Sequence, residues 1–319
     1  MSSVATSTRS LLALGDVDDA GYEFLVDTAV RYGRDPSRFH NTLSDSRVGL
    51  IFTVPSTRTR STFWSACTTL GCHVLQLGPG DLQTSTGETW SDTGAMLANV
   101  VDAAAVRTNG ARDDLQAFAQ HLPTINALTY DDHPTQAIAD LCALHEHFGP
   151  DHPVRIAYLG NINNTARSLM QMVARQPGYT IAVYSPAGHG FSAAEIDAVN
   201  DRAGRTAVEQ FDHVPDRPDH ADAVYTTRWT SMASTTDDAD FLRRCEPFRI
   251  DRTVLAKFSG EREAMVMHDL PAVRDMEIVS ELLDGTNSLV ARQALHKASA
   301  AAAALMWVLD AKEGAAWPL

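Results

Sequence analysis

Two short segments carry residue types that together bind an oxyanion and polarise a carbonyl. Ser56-Thr57-Arg58-Thr59-Arg60 follows an apolar stretch of strand length and opens an amphipathic one. A strand-to-helix turn aims backbone N–H groups and the positive end of the helix dipole at one spot, where hydroxyls and guanidinium groups complete an anion site. Solvated arginines after an ordinary Ser or Thr cap are the plainer explanation. Cations in a first helical turn oppose the dipole, however, so two of them ask for an anion. The second segment, His133-Pro134-Thr135-Gln136, places Pro at the first position of a helix and leaves an imidazole and an amide at its start. Alone it reads as a simple turn. Arg107 ends the apolar run that starts at Ala103, and the ends of parallel strands line a crevice, although an arginine there also suits a solvated edge.

These residues need a scaffold that brings strand ends together. Apolar strand-length stretches alternate with amphipathic ones almost from end to end, which predicts an α/β protein with mostly parallel sheets flanked by helices. Strands are expected over residues 48–54, 73–77, 103–107, 124–127, 154–159, 180–184, 223–226 and 264–267, and helices include 20–32, 59–70, 91–101, 135–148, 164–175, 193–203 and 291–311. A chain of 319 residues suits two domains. The Gly/Pro-punctuated connection from Phe148 to Pro153 divides it nearly in half. The expected organisation is residues 1–146 plus 290–319, a C-terminal helix returning to the first domain, and 150–288 as the second. The alanine-rich stretch from Ala298 to Ala304 reads as close helix packing.

Composition narrows the classes. A formal net charge of -14 disfavours sequence-independent nucleic-acid binding, which needs clustered cations. No apolar run approaches the roughly 20 residues of a membrane span, and the polar start of the chain lacks a signal-peptide core, so a cytoplasmic, membrane-free protein is expected. Cys67, Cys72, Cys142 and Cys245 fit neither a CxxC redox motif nor a zinc knuckle and read as reduced thiols. No metal cluster is expected. The segment Gly160-Asn161-Ile162-Asn163-Asn164 lacks the spaced glycines of a dinucleotide fingerprint, so no cofactor is expected either. Lysine occurs only at 257, 297 and 312, which makes each one worth locating.

Taken together and in order, these segments resemble the aspartate/ornithine carbamoyltransferase family over nearly the whole chain. Family members carry a Ser-x-Arg-Thr-Arg phosphate segment, an arginine ending a later strand and a His-Pro-x-Gln segment at matching intervals. The resemblance implies that Ser56, Thr57, Arg58 and Thr59 bind the phosphate of carbamoyl phosphate, and that Arg107, His133 and Gln136 hold the carbamoyl group. Arg58, Thr59, Arg107, His133 and Gln136 would then be the catalytic set. Gly87 to Thr93 resembles the family's mobile loop, which reaches a neighbouring subunit's site. This implies a homotrimer with shared sites, Glu88 and Trp90 coming from the neighbour.

Three later segments resemble the ornithine branch: Gly160 to Asn164, Trp229 to Ala233, and Met267-His268-Asp269-Leu270-Pro271. By position, Asn164, the Ser231 hydroxyl and the Met232 backbone would take an α-carboxylate, and the Leu270 carbonyl would touch the carbamoyl nitrogen. The departures point at the acceptor. The branch has an aspartate for the α-ammonium where this chain has Thr227, and a cysteine where it has Asp269. Lys297 occupies the place of a phosphate-site or carbonyl-site arginine, which implies a carbamoyl-phosphate contact that loses the bidentate fork but keeps the charge. Val54 stands where ornithine enzymes often have lysine. Each also has a plain explanation: Thr227 as a strand end, Asp269 as a turn cap, Lys297 as a surface residue. The reading favoured for Asp269 is that it faces a cation and holds the amine that a neutral Thr227 cannot. The expected acceptor is therefore an amino-acid-like amine other than ornithine, such as a short diamino acid like 2,3-diaminopropionate. Carbamoylation of ornithine itself and a non-catalytic ligand-binding relative are the alternatives.

Overall fold

The computed structural model describes residues 9–230 and 239–310. The chain divides into two compact units, one running to Cys142 and resuming at Leu295, the other Ala143–Ala294. The first begins with α1 (Asp19–Arg34), then β1 (Arg47–Phe52), α2 (Arg58–Leu70), β2 (His73–Leu77), α3 (Trp90–Leu97), β3 (Ala103–Arg107), α4 (Arg112–Ala119), β4 (Thr124–Leu128) and α5 (Pro134–Phe148). All its strand pairs are parallel, in the order β2-β1-β3-β4. Every residue of β3 is buried, as befits a central strand covered on both faces. The chain leaves β1 toward one side of the sheet and returns through β3 to the other, so the ends of β1 and β3 form a topological switch point. Phe52 pairs with Arg107 there, and the β3–β4 register shifts between Val106 and Arg107, where Asn126 and then Leu128 are the partners. The irregularity falls at the residue expected to do chemistry.

The second unit contains β5 (Arg155–Leu159), α6 (Asn164–Arg175), β6 (Thr180–Tyr184), α7 (Ala193–Ala203), β7 (Val208–Phe211), β8 (Ala223–Thr226), α8 (Ala239–Cys245), α9 (Arg252–Phe258), β9 (Met265–His268) and α10 (Ser280–Leu283), before α11 (Val290–Val308). Its parallel sheet has the order β7-β6-β5-β8-β9, with the switch point between β5 and β8. Leu159, Tyr184, Val224, Phe258 and Val266 belong to its core.

Both sheets and the flanking helices match the expected α/β class. The strand β7 is absent from the sequence expectation because Val208 is its only buried residue, as an edge position allows. The helix expected over 91–101 stops at Leu97, since the Asn99 amide donates to the carbonyls of Ala95 and Met96 and ends the turn. Residues 300–304, the alanine run of α11, are fully buried. Close packing explains the small residues on α1 as well: a Cβ at Gly33 would lie 2.8 Å from the His296 ring, and one at Gly21 3.0 Å from the Trp307 indole nitrogen.

Candidate active site

In the first unit the anion segment lies where the sequence places it, between the end of β1 and the start of α2. Side chains of Asp18, Thr89, Asn163, Ser192 and Asp251 cap α1, α3, α6, α7 and α9. Thr57 makes no such bond at α2 and has a helical backbone itself, so its hydroxyl does not compete for the first-turn N–H groups. Ser56 and Arg58 are half-buried and Thr57 is exposed. Arg60 instead turns back over the Phe52 ring, 5.3 Å from its centroid, and belongs to the packing of β1. A helix start with open N–H groups and Arg58 beside it suits a phosphate.

Along the first turns of α2 lies a small pocket. It is lined by Thr59, Thr62, Phe63, His133, Thr135, Gln136 and Lys297. The buried Arg107 donates through Nη1 to the Thr59 hydroxyl at 3.3 Å, so the strand-end arginine and the start of α2 are tied together. Lys297, from α11, is buried rather than on the surface and donates to the Gln136 carbonyl oxygen. Gln136 Nε2 donates to Asp140 Oδ1 at 2.7 Å. His133 packs beside Thr135, with Nδ1 3.5 Å from its hydroxyl.

Burial, and next the charges of Lys297 and Arg107, hold the His133 imidazole well below its ordinary pKa of 6.5. At neutral pH it is therefore uncharged and offers one N–H donor and one acceptor nitrogen. The sign of the linked stability follows. Below pH 6.5 the unfolded chain takes up a proton that the folded chain refuses, so this residue's contribution to stability falls as pH drops through that region. The slope is at most about 1.4 kcal/mol per pH unit for one proton. His133→Asn should flatten part of the decline in urea midpoint between pH 7 and pH 5; an unchanged pH profile would show that this imidazole charges freely in the folded protein.

The second unit has its own crevice at the β5/β8 switch point, where Gly160 to Asn163 and Thr227 to Thr230 emerge from neighbouring strands. Gly160 has φ +114° and no room for a Cβ, which would sit 2.7 Å from the Trp229 indole nitrogen. Asn163 caps α6, and Asn164 accepts from the Thr165 N–H at 2.8 Å through its side-chain oxygen. Thr227 is 1% exposed. The Tyr158 hydroxyl donates to the Asn161 carbonyl at 2.7 Å, so the Thr227 hydroxyl, 3.0 Å away, donates to Tyr158 and accepts from Asn163 Nδ2 at 3.0 Å. Its hydroxyl is occupied in tying the two strand ends together.

Asp269 stands one residue beyond β9 as Thr227 stands one beyond β8, after the paired Thr226 and His268. Its Oδ2 accepts from the Thr165 hydroxyl at 2.8 Å, near the start of α6, where the dipole favours negative charge. Its Oδ1 is 3.5 Å from His268 Nδ1, but that nitrogen accepts the Leu270 N–H at 2.8 Å and has no proton to share. His268 Nε2 therefore donates to the buried Glu277 at 3.1 Å. Together these bonds support Leu270, whose φ of +58° is unusual for a residue with a side chain. Ser231 and Met232 lie outside the described residues. Glu88 accepts from the Thr93 hydroxyl at 2.7 Å, and the Trp90 ring meets Phe118 edge-on at 6.0 Å. Among the described residues no group of His, Cys, Asp and Glu forms a metal cluster.

Sequence reasoning passes over Asp140, Thr165, Tyr158 and the His268–Glu277 pair. Asp140 is legible in principle, being four residues after Gln136 on one helix face. The others meet only through strand pairing or loop closure.

A helix start suited to an anion beside a pocket lined by Lys297 in one unit, and a polar crevice at the switch point of a second, define a two-domain α/β protein suited to small polar ligands. The chain belongs to the aspartate/ornithine carbamoyltransferase family: residues 9–146 match its carbamoyl-P binding domain and residues 152–309 its Asp/Orn binding domain. It is similar to the ornithine carbamoyltransferase of Haloquadratum walsbyi, 35% identical over 311 residues that cover 95% of this chain and 98% of the relative. The ornithine carbamoyltransferase of Parafrankia sp. is 39% identical over 289 residues, 88% of each chain. Among solved structures, the Pyrococcus furiosus ornithine carbamoyltransferase superposes with a TM-score of 0.86 at 31% identity, covering 96% of this chain and 99% of that one. The Gloeobacter violaceus enzyme gives 0.79 at 33%, covering 95% and 99%. The protein is thus a carbamoyltransferase, and none of its described helices is long and apolar enough to cross a membrane.

Proposed function

We propose that this carbamoyltransferase transfers the carbamoyl group of carbamoyl phosphate to the side-chain amine of an amino acid shorter than ornithine, such as 2,3-diaminopropionate, giving a ureido amino acid and phosphate. The acceptor reading is supported by the positions of Thr227 and Asp269 at neighbouring strand ends. Thr227, at the ornithine branch's ammonium-binding position, is neutral and engaged with Tyr158 and Asn163. Among the described residues an acidic group, Asp269, stands at the adjacent strand end, about one strand spacing or 4.8 Å away. Its contacts among the described residues are a hydroxyl and an imidazole nitrogen acting as acceptor, so an incoming amine meets an oxygen acceptor with capacity left. Asn164, Ser231 and Met232 take the α-carboxylate, and the Leu270 carbonyl takes the carbamoyl N–H.

In this mechanism the amine arrives unprotonated and attacks the carbamoyl carbon. A C–N bond forms, the C–O bond to phosphate breaks, and the departing phosphate accepts the proton the amine sheds, so no dedicated base is needed. Arg107, Thr59 and the neutral His133 meet charge developing on the carbonyl oxygen, with Gln136 beside it. Ser56, Thr57, Arg58 and the α2 N-terminus meet charge on the leaving group, with Lys297 nearby. Prearranged donors of this kind supply most of the acceleration such a reaction needs. The working assembly in this reading is a cytoplasmic homotrimer in which Glu88 and Trp90 approach a neighbour's site.

The names of the relatives favour a second reading, in which ornithine itself is the acceptor. Incubating the protein with carbamoyl phosphate and ornithine, 2,4-diaminobutyrate or 2,3-diaminopropionate, with colorimetric detection of the ureido product, separates the two. The short-acceptor reading requires the highest kcat/KM with a diamine shorter than ornithine. Ornithine turning over best establishes the second reading. Silence with every amine, while carbamoyl phosphate still raises Tm, would leave a binding protein.

A further inference from the structure

We infer that Asp140 is a positioning residue for the carbamoyl-phosphate pocket, acting through Gln136 on the groups that face the ligand. Asp140 is fully buried on α5, one helical turn beyond Gln136, and does not itself line the pocket. The two neighbours of the Gln136 amide are of opposite kind. The Lys297 ammonium can only donate, so it meets the carbonyl oxygen; the Asp140 carboxylate accepts, so it meets the NH2 group. A glutamine amide is otherwise free to present either end, and here a cation on one side and a carboxylate on the other select one of its two orientations.

That choice decides what the pocket offers. With the oxygen engaged by Lys297 and one N–H by Asp140, the second N–H of Gln136 is the donor left for a ligand oxygen. The carboxylate also polarises the amide in the sense that strengthens its carbonyl as the acceptor for Lys297. A lysine lacks the fork that lets an arginine hold its own direction, so its aim depends on its acceptors, of which the Gln136 carbonyl is one. Asp140 supplies that direction at second hand.

The inference rests on the reading of this pocket as the carbamoyl-phosphate site, and the test separates the two. Carbamoyl phosphate binding is measured by calorimetry on the wild type, Asp140→Asn, Gln136→Ala and the double variant, with Tm recorded without ligand. Asp140→Asn is nearly isosteric but no longer dictates the amide's orientation, and it should weaken binding roughly tenfold or more. In the Gln136→Ala background the same change should have no further effect, because its intermediary is gone. A merely structural Asp140 would give additive losses, or a lowered Tm with unchanged affinity in Asp140→Asn, and either result overturns the inference. Should Asp140→Asn not fold, Asp140→Glu, which keeps the charge but displaces it by one methylene, must show the same non-additivity with Gln136→Ala. A wild type that binds no carbamoyl phosphate would sink the site assignment instead.

Discussion

Arg107→Met is expected to lower kcat/KM for carbamoyl phosphate by about a thousandfold or more while leaving the fold intact, because removing a donor aimed at developing charge in a water-poor site costs about that much. Arg107 ends β3 at the switch point of the first sheet, is buried, and touches the Thr59 hydroxyl at the entrance to α2. Methionine retains much of its length and packs into the same channel. The change also removes one of the two cations that depress the His133 pKa, so the imidazole should become easier to protonate. Two measurements check this: steady-state kinetics at pH 7.5, and a titration of the His133 ring by NMR in both proteins. A loss of less than tenfold would mean that Arg107 serves the β3–β4 irregularity rather than the reaction.

The same residue shows how much of the site is legible in the amino-acid sequence. Arg107 stands out because four apolar residues precede it and a charged group at a strand end invites a crevice, and Ser56 to Arg60 stands out because two arginines sit in a first helical turn. Both are local signals, set by the run of residue types along a few positions, and parallel α/β topology then converts strand ends into neighbours. The order of strands is not local. That β1 and β3 adjoin, with β2 at the edge, follows from crossover directions that spacing does not encode. Lys297 is the intermediate case: its residue type suits a surface lysine and a ligand-binding one equally, and the burial of α11's middle puts it beside Gln136.

Thr227 is the least legible. As a sequence position it is a neutral residue where a charged one would be expected, which says what is missing but not what replaces it. Its partner Tyr158 lies 69 residues earlier, brought alongside by the β5–β8 pairing. Burial pushes the Tyr158 phenol well above its ordinary pKa, so it remains a neutral donor and acceptor throughout the working range. A neutral hydroxyl pair of this kind fixes strand ends without itself presenting charge to a ligand. In the proposed reading the ammonium-binding role is either filled elsewhere in the crevice or abandoned.

Asp269→Cys decides between those outcomes. It restores the residue typical of the ornithine branch, removes the carboxylate that accepts from Thr165, and leaves the Leu270 N–H bond to His268 in place. If Asp269 holds the acceptor's amine, kcat/KM for the preferred short diamino acid should fall roughly a hundredfold, the cost of removing one charge-assisted hydrogen bond of about 3 kcal/mol. Ornithine, never well held by that carboxylate, should lose much less, so the ratio between the two acceptors moves by one to two orders of magnitude. The affinity for carbamoyl phosphate, measured alone by calorimetry, should stay within about twofold, because Asp269 lies outside residues 9–146, which match the carbamoyl-P binding domain. An equal loss for all acceptors would instead assign Asp269 to holding the start of α6 through Thr165, and the neutral pair at Thr227 would then mean that this enzyme recognises its acceptor without a carboxylate at either position.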